Sequence, residues 1–326
     1  MALSKKQGIA IGVIAAAVVA VVGVGTAIGL SRPAEAVAAP EPSASASTGE
    51  IEWVHTDAVP DAVAALKASG FQPIEPGKLT VAVGAFVPPL SYVPDGETLP
   101  AGTEPNIGSL IAESLGLEYN PVVVAWADWP LGIQSGKYDL ITSNVTVTEE
   151  RKELYDFASY RQDLLGFSVR ADSPISSIET ADDISGLKVI VGSGTNQEKV
   201  LLSWNDELTA AGKAPAELQY YDDNAAATLA LQSGRADATF GPNATSAWAA
   251  KETGETKLVG IIPGGWPLQA DIAAGTKKGN GLIEPVQIAL NALIENGTYA
   301  EVLKVWNLES EGIETSQINP PGLPKS

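Results

Sequence analysis

The sequence of 326 residues contains no cysteine and only one histidine, His55. Without cysteine, the chain can form no disulfide, no thiolate metal site and no lipid anchor on an N-terminal cysteine. A single histidine leaves no basis for the usual histidine clusters around a metal and argues against a Ser-His-Asp triad. The composition therefore argues against a metal site built from cysteine or histidine, and no cofactor is expected.

Positive charge is also scarce: 20 Lys and Arg residues stand against 39 Asp and Glu residues, which gives a net charge of −19. Such a surface repels nucleic acid and anionic lipid, so neither is expected as a partner. Apolar residues nevertheless make up 45% of the chain. That fraction is enough to bury a core and to exclude global disorder.

The N-terminus lacks charge over a long stretch, from Gln7 to Leu30, directly after Lys5 and Lys6. This length suits a membrane-spanning helix, whereas "AEA" at 34–36 suits a signal-peptide cleavage site. Residues 1–36 are therefore either a cleaved signal peptide or a retained anchor, and both predict an exported, extracytoplasmic protein. Residues 37–77 are expected to form a linker, rich in Pro, Ser and Ala at its start, and an N-terminal extension.

From Lys78 onwards, short apolar strands alternate with helical patterns, which predicts the α/β class. Strands are predicted within 78–83, 120–126, 138–147, 164–171, 187–194, 217–223, 236–242 and 270–275. Helices are predicted at 106–115, 196–211, 224–233 and 283–296, the last of them stopped by Gly297.

Two similar segments, "QSGKYD" (134–139) and "QSGRAD" (232–237), each join a predicted helix to a hydrophobic strand. They are either a common helix-to-strand loop or the mark of two similar α/β lobes. Each following strand ends in a polar stretch, "SNVT" (143–146) or "GPNAT" (241–245). Ligands of open α/β sheets bind beyond the carboxyl ends of strands, so a cleft between two lobes is predicted.

Arg151 stands in an unfavourable place within "TVTEERKELYDF" (146–157). Thr148 is a good N-cap, and Glu149 and Glu150 suit a first helical turn, but a cation in that turn opposes the helix dipole. The arginine is either a solvated surface side chain whose aliphatic part is shielded from water, or a residue that binds an anion through its guanidinium group.

Six segments resemble the polar-amino-acid type of extracytoplasmic solute-binding proteins of ABC transporters, bacterial solute-binding protein family 3. They occur in the order and at the spacing typical of that family. The resemblance runs from Lys78 to Trp306. Its carriers are "KLTVAVGAFVPPLSY", "IQSGKYDL", "TVTEERKELYDF", "DISGLKVIVGSGTNQE", "LALQSGRADATF" and "ALNALIENGTYAEVLKVW".

The resemblance implies a two-lobed periplasmic-binding-protein fold of type II that closes on its ligand about two hinge strands. Lobe 1 would comprise 78–168 plus 271–308, lobe 2 would comprise 169–270, and 309–326 would be a C-terminal tail. The hinge strands would be "FSVRADSP" and "LQADIAAG".

The resemblance also assigns roles in the cleft. Arg151 would bind the ligand's α-carboxylate, and Phe86 and Trp126 would hold the ligand between their rings, although their pattern alone favours core aromatics. The remaining ligand-binding candidates, in loops beyond strands, are Ser143, Asn144, Thr146, Thr195, Asn196, Gln197 and Asn243. The "GSGT" turn before the helix at 196 would offer converging N–H donors to the same carboxylate.

The sequence departs from the family pattern at the acidic residues that usually bind the ligand's α-ammonium group. No Asp or Glu occurs between Thr80 and Val93, and the second acidic position holds Pro242 or Asn243. A ligand without a free ammonium is therefore expected, unless Glu104 or Asp271 supplies the charge or the aromatic faces hold a cation.

The resemblance implies a monomeric, non-enzymatic protein that captures a small carboxylate-bearing solute, an amino acid or a similar compound, for an ABC transporter permease. Two alternatives remain: an exported, dehydratase-like enzyme on the same fold, or a ligand-sensing module. Catalysis would need a positioned acid or base in the cleft.

Overall fold

The computed structural model describes residues 53–84, 86–221 and 223–325. The predicted signal peptide or anchor and the start of the linker lie outside these ranges. Of the helices in the described part, none is long and apolar enough to cross a membrane.

The first sheet has five strands in the order β2-β1-β3-β10-β4. These are β1 (Lys78–Gly84), β2 (Glu118–Val124), β3 (Leu140–Ile141), β4 (Tyr155–Gln162) and β10 (Asp271–Lys277). The first three run parallel, and β10 runs antiparallel to β3 and β4. Strand β1 is almost wholly buried, as expected of a strand with helices on both faces.

The second sheet repeats this arrangement in the order β7-β6-β8-β5-β9. Its strands are β5 (Leu164–Arg170), β6 (Lys188–Ile190), β7 (Glu217–Gln219), β8 (Ala238–Pro242) and β9 (Thr256–Pro263). Strand β6 is parallel to β7 and β8, and β5 is antiparallel to β8 and β9. The predicted α/β class and two-lobed architecture are therefore confirmed.

Helices cover both sheets. They are α1 (Pro60–Ser69), α2 (Thr103–Ser114), α3 (Trp129–Gln134), α4 (Asn196–Ala210), α5 (Asn224–Gln232), α6 (Asn243–Thr253), α7 (Ile283–Glu295) and α8 (Thr298–Val305). The four predicted helices correspond to α2, α4, α5 and α7. Helix α1 packs on α7, so part of the predicted extension belongs to the first lobe.

The two QSG segments form the same helix-to-strand connection in the two lobes. Each ends its helix on a glycine of positive φ, Gly136 at 73° and Gly234 at 72°. In each, the aspartate immediately before the next strand accepts a backbone N–H from the neighbouring parallel strand. Asp139 accepts from Thr80 at 2.9 Å, and Asp237 accepts from Lys188 at 2.8 Å. The recurrence thus marks two similar lobes.

The chain crosses between the sheets twice, at Asp163 and over 264–270. The boundary predicted at 168 is too late, because β5 already pairs with β8 and β9 in the second sheet. The predicted hinge strand "FSVRADSP" is wrong for the same reason. Strand β4, which the sequence did not predict, is buried on both faces and so lacks a two-residue alternation.

Residues 309–325 pack against the first lobe. A short 3₁₀ turn (Glu309–Glu311) is followed by isolated bridges between Ile318 and Ala158 and between Leu323 and Thr148. Asn319, at a φ of 49°, accepts the N–H of Phe157 at 2.9 Å. What the sequence presents as a tail is therefore part of the first lobe.

Candidate ligand-binding site

The predicted site residues lie beyond the ends of central strands in the two sheets. Ser143, Asn144 and Thr146 follow β3, and all three are buried. Thr195 caps α4, which follows β6, and Asn196 and Gln197 form its buried first turn. These are the strand ends at which open α/β sheets bind ligands.

Arg151 opens a single 3₁₀ turn, Arg151–Glu153, rather than the longer helix that the sequence predicts. The residue at the cap of this turn is Glu150, not the predicted Thr148, although the Thr148 hydroxyl accepts the Arg151 N–H at 3.0 Å. Strand β4 begins at Tyr155 and leaves no room for further turns. The helix-dipole argument for an awkward arginine therefore loses its basis, and the side chain has to be judged by its contacts.

The Arg151 guanidinium lies among aromatic rings and has one hydrogen-bond acceptor. Its Nη1 donates to the Thr146 carbonyl at 2.8 Å, and its central carbon lies 5.4 Å from the Trp126 ring centre and 5.8 Å from that of Trp129. Loss of solvation lowers the pKa of Arg151 to about 10, opposed by the charges of Asp163 and Glu150. The group is still a cation at neutral pH.

Phe86 and Trp126 contact each other next to Arg151. Their ring centres are 6.3 Å apart at an interplanar angle of 53°. Rings this close touch directly, so the slot that the resemblance implies between them is closed in this conformation. Both rings are half-buried, and Trp126 is the one that lies against the arginine.

Asp163 joins the predicted site residues at the first crossing between the sheets. It is 1% exposed, and its Oδ2 accepts from the Thr146 hydroxyl at 2.7 Å and from Asn196 Nδ2 at 3.1 Å. Gly264 lies against the carboxylate, where a Cβ would come within 1.9 Å of Asp163 Oδ2. Burial raises the pKa of Asp163 to about 6, although the Thr146 and Asn196 hydrogen bonds oppose the shift.

Nothing in the sequence around Asp163 identifies it as a site residue. The prediction considered only the loop after β1 and the residues after β8, while Asp163 stands between two strands. Asp163 is thus a further acid beside the predicted site residues, in addition to Glu104 and Asp271, which the sequence analysis considered.

The start of α4 is less open to an anion than the sequence predicts. The Gly194 N–H donates to Glu198 Oε2 at 2.6 Å, and the Glu198 N–H donates to the Thr195 hydroxyl at 3.2 Å. That hydroxyl in turn donates to the Gly192 carbonyl at 2.7 Å. The Glu198 carboxylate thus accepts a backbone N–H that the "GSGT" turn was expected to offer to a ligand. Glu198 is the third residue of the helix, where an acidic side chain commonly caps the helix start.

Asn144 and Asn243 belong to a second buried cluster, centred on Arg161. The Arg161 guanidinium donates to Glu104, at 3.0 Å, and to Asn144 and Glu311. Asn243 Nδ2, from the second lobe, donates to Glu311 Oε1 at 3.1 Å. Glu311 therefore links the lobes, from a segment in which the sequence predicted only a tail.

Glu104 is fully engaged in this second cluster. Besides Arg161, its carboxylate accepts the Tyr160 hydroxyl and the Asn144 N–H, the latter at 2.7 Å. Asp271 is half-buried at the start of β10, where burial raises its pKa. Of the two acids proposed to meet a ligand, Glu104 therefore already has a fixed cation as its partner.

Ser143 and Phe86 both lie next to Gly84, the last residue of β1. The Gly84 N–H donates to Ser143 Oγ, and a Cβ at Gly84 would come within 2.7 Å of the Phe86 ring. Gln197 contributes a buried Oε1 that has no hydrogen-bond partner among the described residues. The structure thus gathers Thr146, Arg151 and Asn196 around Asp163, with Trp126 and Phe86 alongside.

Comparison with known families gives the class of this protein. The model of the bacterial extracellular solute-binding proteins, family 3, matches residues 79–309. The chain belongs to this family. Glu311, which links the lobes, lies just beyond the matched region.

Two relatives and one solved structure illustrate the similarity. The chain is 28% identical over 234 residues to the L-cystine-binding protein TcyJ of Escherichia coli K12, covering 71% of this chain and 83% of that protein. It is 27% identical over 277 residues to the arginine-binding protein ArgT of Corynebacterium glutamicum, covering 81% and 86%. The structure of an ancestral arginine-binding protein bound to arginine superposes with a TM-score of 0.62 at 26% identity, covering 71% and 98%.

Proposed function

We propose that this protein captures an amino acid, or a closely similar carboxylate, outside the cytoplasm and delivers it to the permease of an ABC transporter. The family membership supports a solute-binding role, and the names of the relatives, which bind L-cystine and arginine, support the amino-acid class. Arg151 carries the proposal for the site, because a desolvated guanidinium with one neutral acceptor favours binding of an anion.

The site proposed for the carboxylate comprises Arg151 and the polar groups around it. Thr146 and Asn196 border it from the two lobes, and Trp126 lies over the guanidinium. Closure of the lobes would remove water from the Arg151–carboxylate pair and strengthen it. We propose that Ser143, Thr195 and Gln197 contribute at the rim, and that Asn144 and Asn243 act indirectly through the Arg161 cluster.

A thermal-shift screen of the twenty standard L-amino acids and L-cystine tests this function. A compound at about a hundred times its Kd adds about 2.7 kcal/mol to the free energy of unfolding, which is a clear shift in Tm. The variant Arg151→Met should lose the shift. Arg170→Met should keep it and is the matched control, because this half-exposed arginine of the second lobe pairs with Asp172.

The proposal fails if no member of the panel stabilises the wild-type protein. The assignment of Arg151 alone fails if Arg151→Met binds the best compound as tightly as the wild type does in titration calorimetry. Solution scattering with that compound should give a smaller radius of gyration than without it if the lobes close on the ligand.

An exported enzyme is the second candidate, because Asp163 has a pKa of about 6, close to the value that suits a general acid or base near neutral pH. We propose binding without turnover. Proton NMR of the bound amino acid, recovered after a day with stoichiometric protein, should show it unchanged. Conversion that disappears in Asp163→Asn would establish the enzyme instead.

A further inference from the structure

Residues 317–323 of the C-terminal segment lie along the outer edge of the first sheet, and we call them the C-terminal strap. Ile318 forms a bridge with Ala158 of β4. The Asn319 N–H donates to the Phe157 carbonyl, and Asn319 Oδ1 accepts the Phe157 N–H, each at 2.9 Å. Strand β4 is the last strand of that sheet, and an uncovered edge strand is a liability for aggregation. Covering this edge is one role of the strap.

Beyond β4, the strap continues onto the loop that carries Arg151. The Leu323 N–H donates to the Val147 carbonyl at 3.1 Å, and the Leu323 carbonyl accepts the Glu149 N–H at 2.9 Å. These two bonds lie on either side of Thr148, whose hydroxyl accepts the Arg151 N–H at 3.0 Å. Leu323 therefore fixes the residue that in turn fixes the backbone of Arg151.

Gly322 lies so close to this loop that no side chain fits between them. A Cβ at Gly322 would come within 2.7 Å of the Val147 carbonyl carbon and 3.0 Å of Thr148 Cα. The Gly322 N–H also donates to Glu149 Oε1 at 3.1 Å, and the neighbouring Leu323 is buried. Close-packed groups transmit strain, so a displacement of the strap is passed on to the loop.

The side chain of Arg151 depends on the position of this loop. Its guanidinium has one hydrogen-bond acceptor among the described residues, the Thr146 carbonyl at 2.8 Å, and otherwise lies against Trp126 and Trp129. The acceptor and the backbone of Arg151 both belong to the loop. A binding group has to be held within about 0.5 Å of its productive position, and here the loop supplies that constraint.

We propose that the C-terminal strap is a positioning element of the ligand site, in which Gly322 and Leu323 hold the loop 146–151 and thereby the guanidinium of Arg151. This inference rests on the proposed function, and it gives a part in ligand affinity to residues outside the family match at 79–309. Leu323 acts through Thr148 rather than on the ligand. The competing explanation is that the strap only covers β4, in which case its loss lowers stability and leaves affinity unchanged.

The substitution Leu323→Ala tests the inference, with Leu231→Ala on α5 of the second lobe as the matched control. Both leucines are buried, at 7% and 3% exposure, so both truncations should lower stability. In titration calorimetry with the best L-amino acid of the screen, Leu323→Ala should bind about 3- to 30-fold more weakly than wild type, as expected of a residue that acts without contacting the ligand. Leu231→Ala should bind like wild type. Urea unfolding without ligand gives the stability of each variant.

Two further variants separate positioning from stability. Leu323→Met keeps most of the buried volume and should restore the affinity of wild type. Gly322→Ala retains every other side chain but pushes the strap away from Val147, and it should weaken binding as Leu323→Ala does. If Leu323→Ala does not fold, Gly322→Ala carries the same test.

The outcomes separate this inference from the proposed function. Binding by Leu323→Ala and Gly322→Ala within twofold of wild type overturns the positioning role and leaves the function standing. An equal loss of affinity in Leu231→Ala also overturns it, because lower stability alone would then explain the effect. If wild type binds no amino acid of the screen, the proposed function fails, and the positioning role fails with it.

Discussion

Arg151 and Arg161 are two desolvated arginines of the first lobe with opposite surroundings. Arg161 is 1% exposed and reaches the carboxylates of Glu104 and Glu311. Arg151 is half-buried, and its guanidinium meets one carbonyl and two indole rings. A charge whose partners are built into the fold stabilises the fold, whereas a charge without such partners is available to a ligand.

The same contrast holds for the acids. Glu104 and Glu311 neutralise Arg161 and connect α2, β4 and the C-terminal segment. Asp163 lies at the crossing between the lobes and has only neutral partners. The Arg161 cluster therefore stabilises the fold, and the region of Arg151 is where we propose that the ligand binds. Four substitutions would break or sharpen this comparison.

Arg161→Met should have the largest effect. It leaves Glu104 and Glu311 buried and facing each other without a cation, which is expected to cost about 3–5 kcal/mol of the free energy of unfolding. Urea unfolding followed by circular dichroism measures the loss. The same substitution at Arg170, a half-exposed arginine paired only with the exposed Asp172, should change stability by less than about 0.5 kcal/mol. A loss below 1 kcal/mol at Arg161 would mean that the cluster is not structural.

Asp163→Asn should change how the stability of the unliganded protein depends on pH. The pKa of Asp163 is raised in the folded protein from 3.8 to about 6, so the folded state keeps a proton that the unfolded state loses between these values. Stability contributed by this group is present below about pH 4 and is lost as pH rises through about 6, by on the order of 3 kcal/mol. The charges that act on Asp163 are Arg161, Arg151 and Glu311.

The variant should therefore equal wild type near pH 4 and exceed it in stability above pH 6.5. Unfolding midpoints over that range, without amino acid, measure the difference. Asp206→Asn, on an exposed face of α4, should follow wild type at every pH. A constant difference between Asp163→Asn and wild type would show that Asp163 does not titrate in this window.

Arg151→Met should change the stability of the unliganded protein by no more than about 1 kcal/mol. The substitution removes a desolvated cation, which is favourable, and a contact with the Trp126 ring, which is worth about 0.5–2 kcal/mol. Urea unfolding of this variant beside Arg161→Met is the direct test of the contrast. A loss above 3 kcal/mol would class Arg151 with Arg161 as a structural residue.

Lys199→Gln should have the smallest effect. Lys199, on α4, forms an ion pair with Glu150 across the lobes, and both side chains are substantially exposed. Exposed pairs contribute about 0.2–1 kcal/mol and are screened by salt. Amino-acid affinity should weaken less than about fivefold, and 0.5 M NaCl should remove the difference. A larger, salt-independent loss would mean that this pair controls closure.

The sequence by itself determined the α/β class and the two lobes, because these follow from local patterns. The QSG segments recur since each lobe needs a positive-φ glycine and an aspartate at the same helix-to-strand join, as Gly136 and Gly234 show. The central strands were readable because burial on both faces leaves continuous apolar runs, as in β1. Arg151 was singled out by the motif around it.

The tertiary structure alone decided which charges are free. Asp163 and Thr146 are 17 positions apart, and Arg161 and Glu311 are 150 apart, so no local pattern couples them. Glu311 was predicted to lie in a C-terminal tail, and Asp163 belonged to no predicted strand or helix. Whether a charge is structural or available depends on partners that arrive from distant segments, and only the folded chain brings them together.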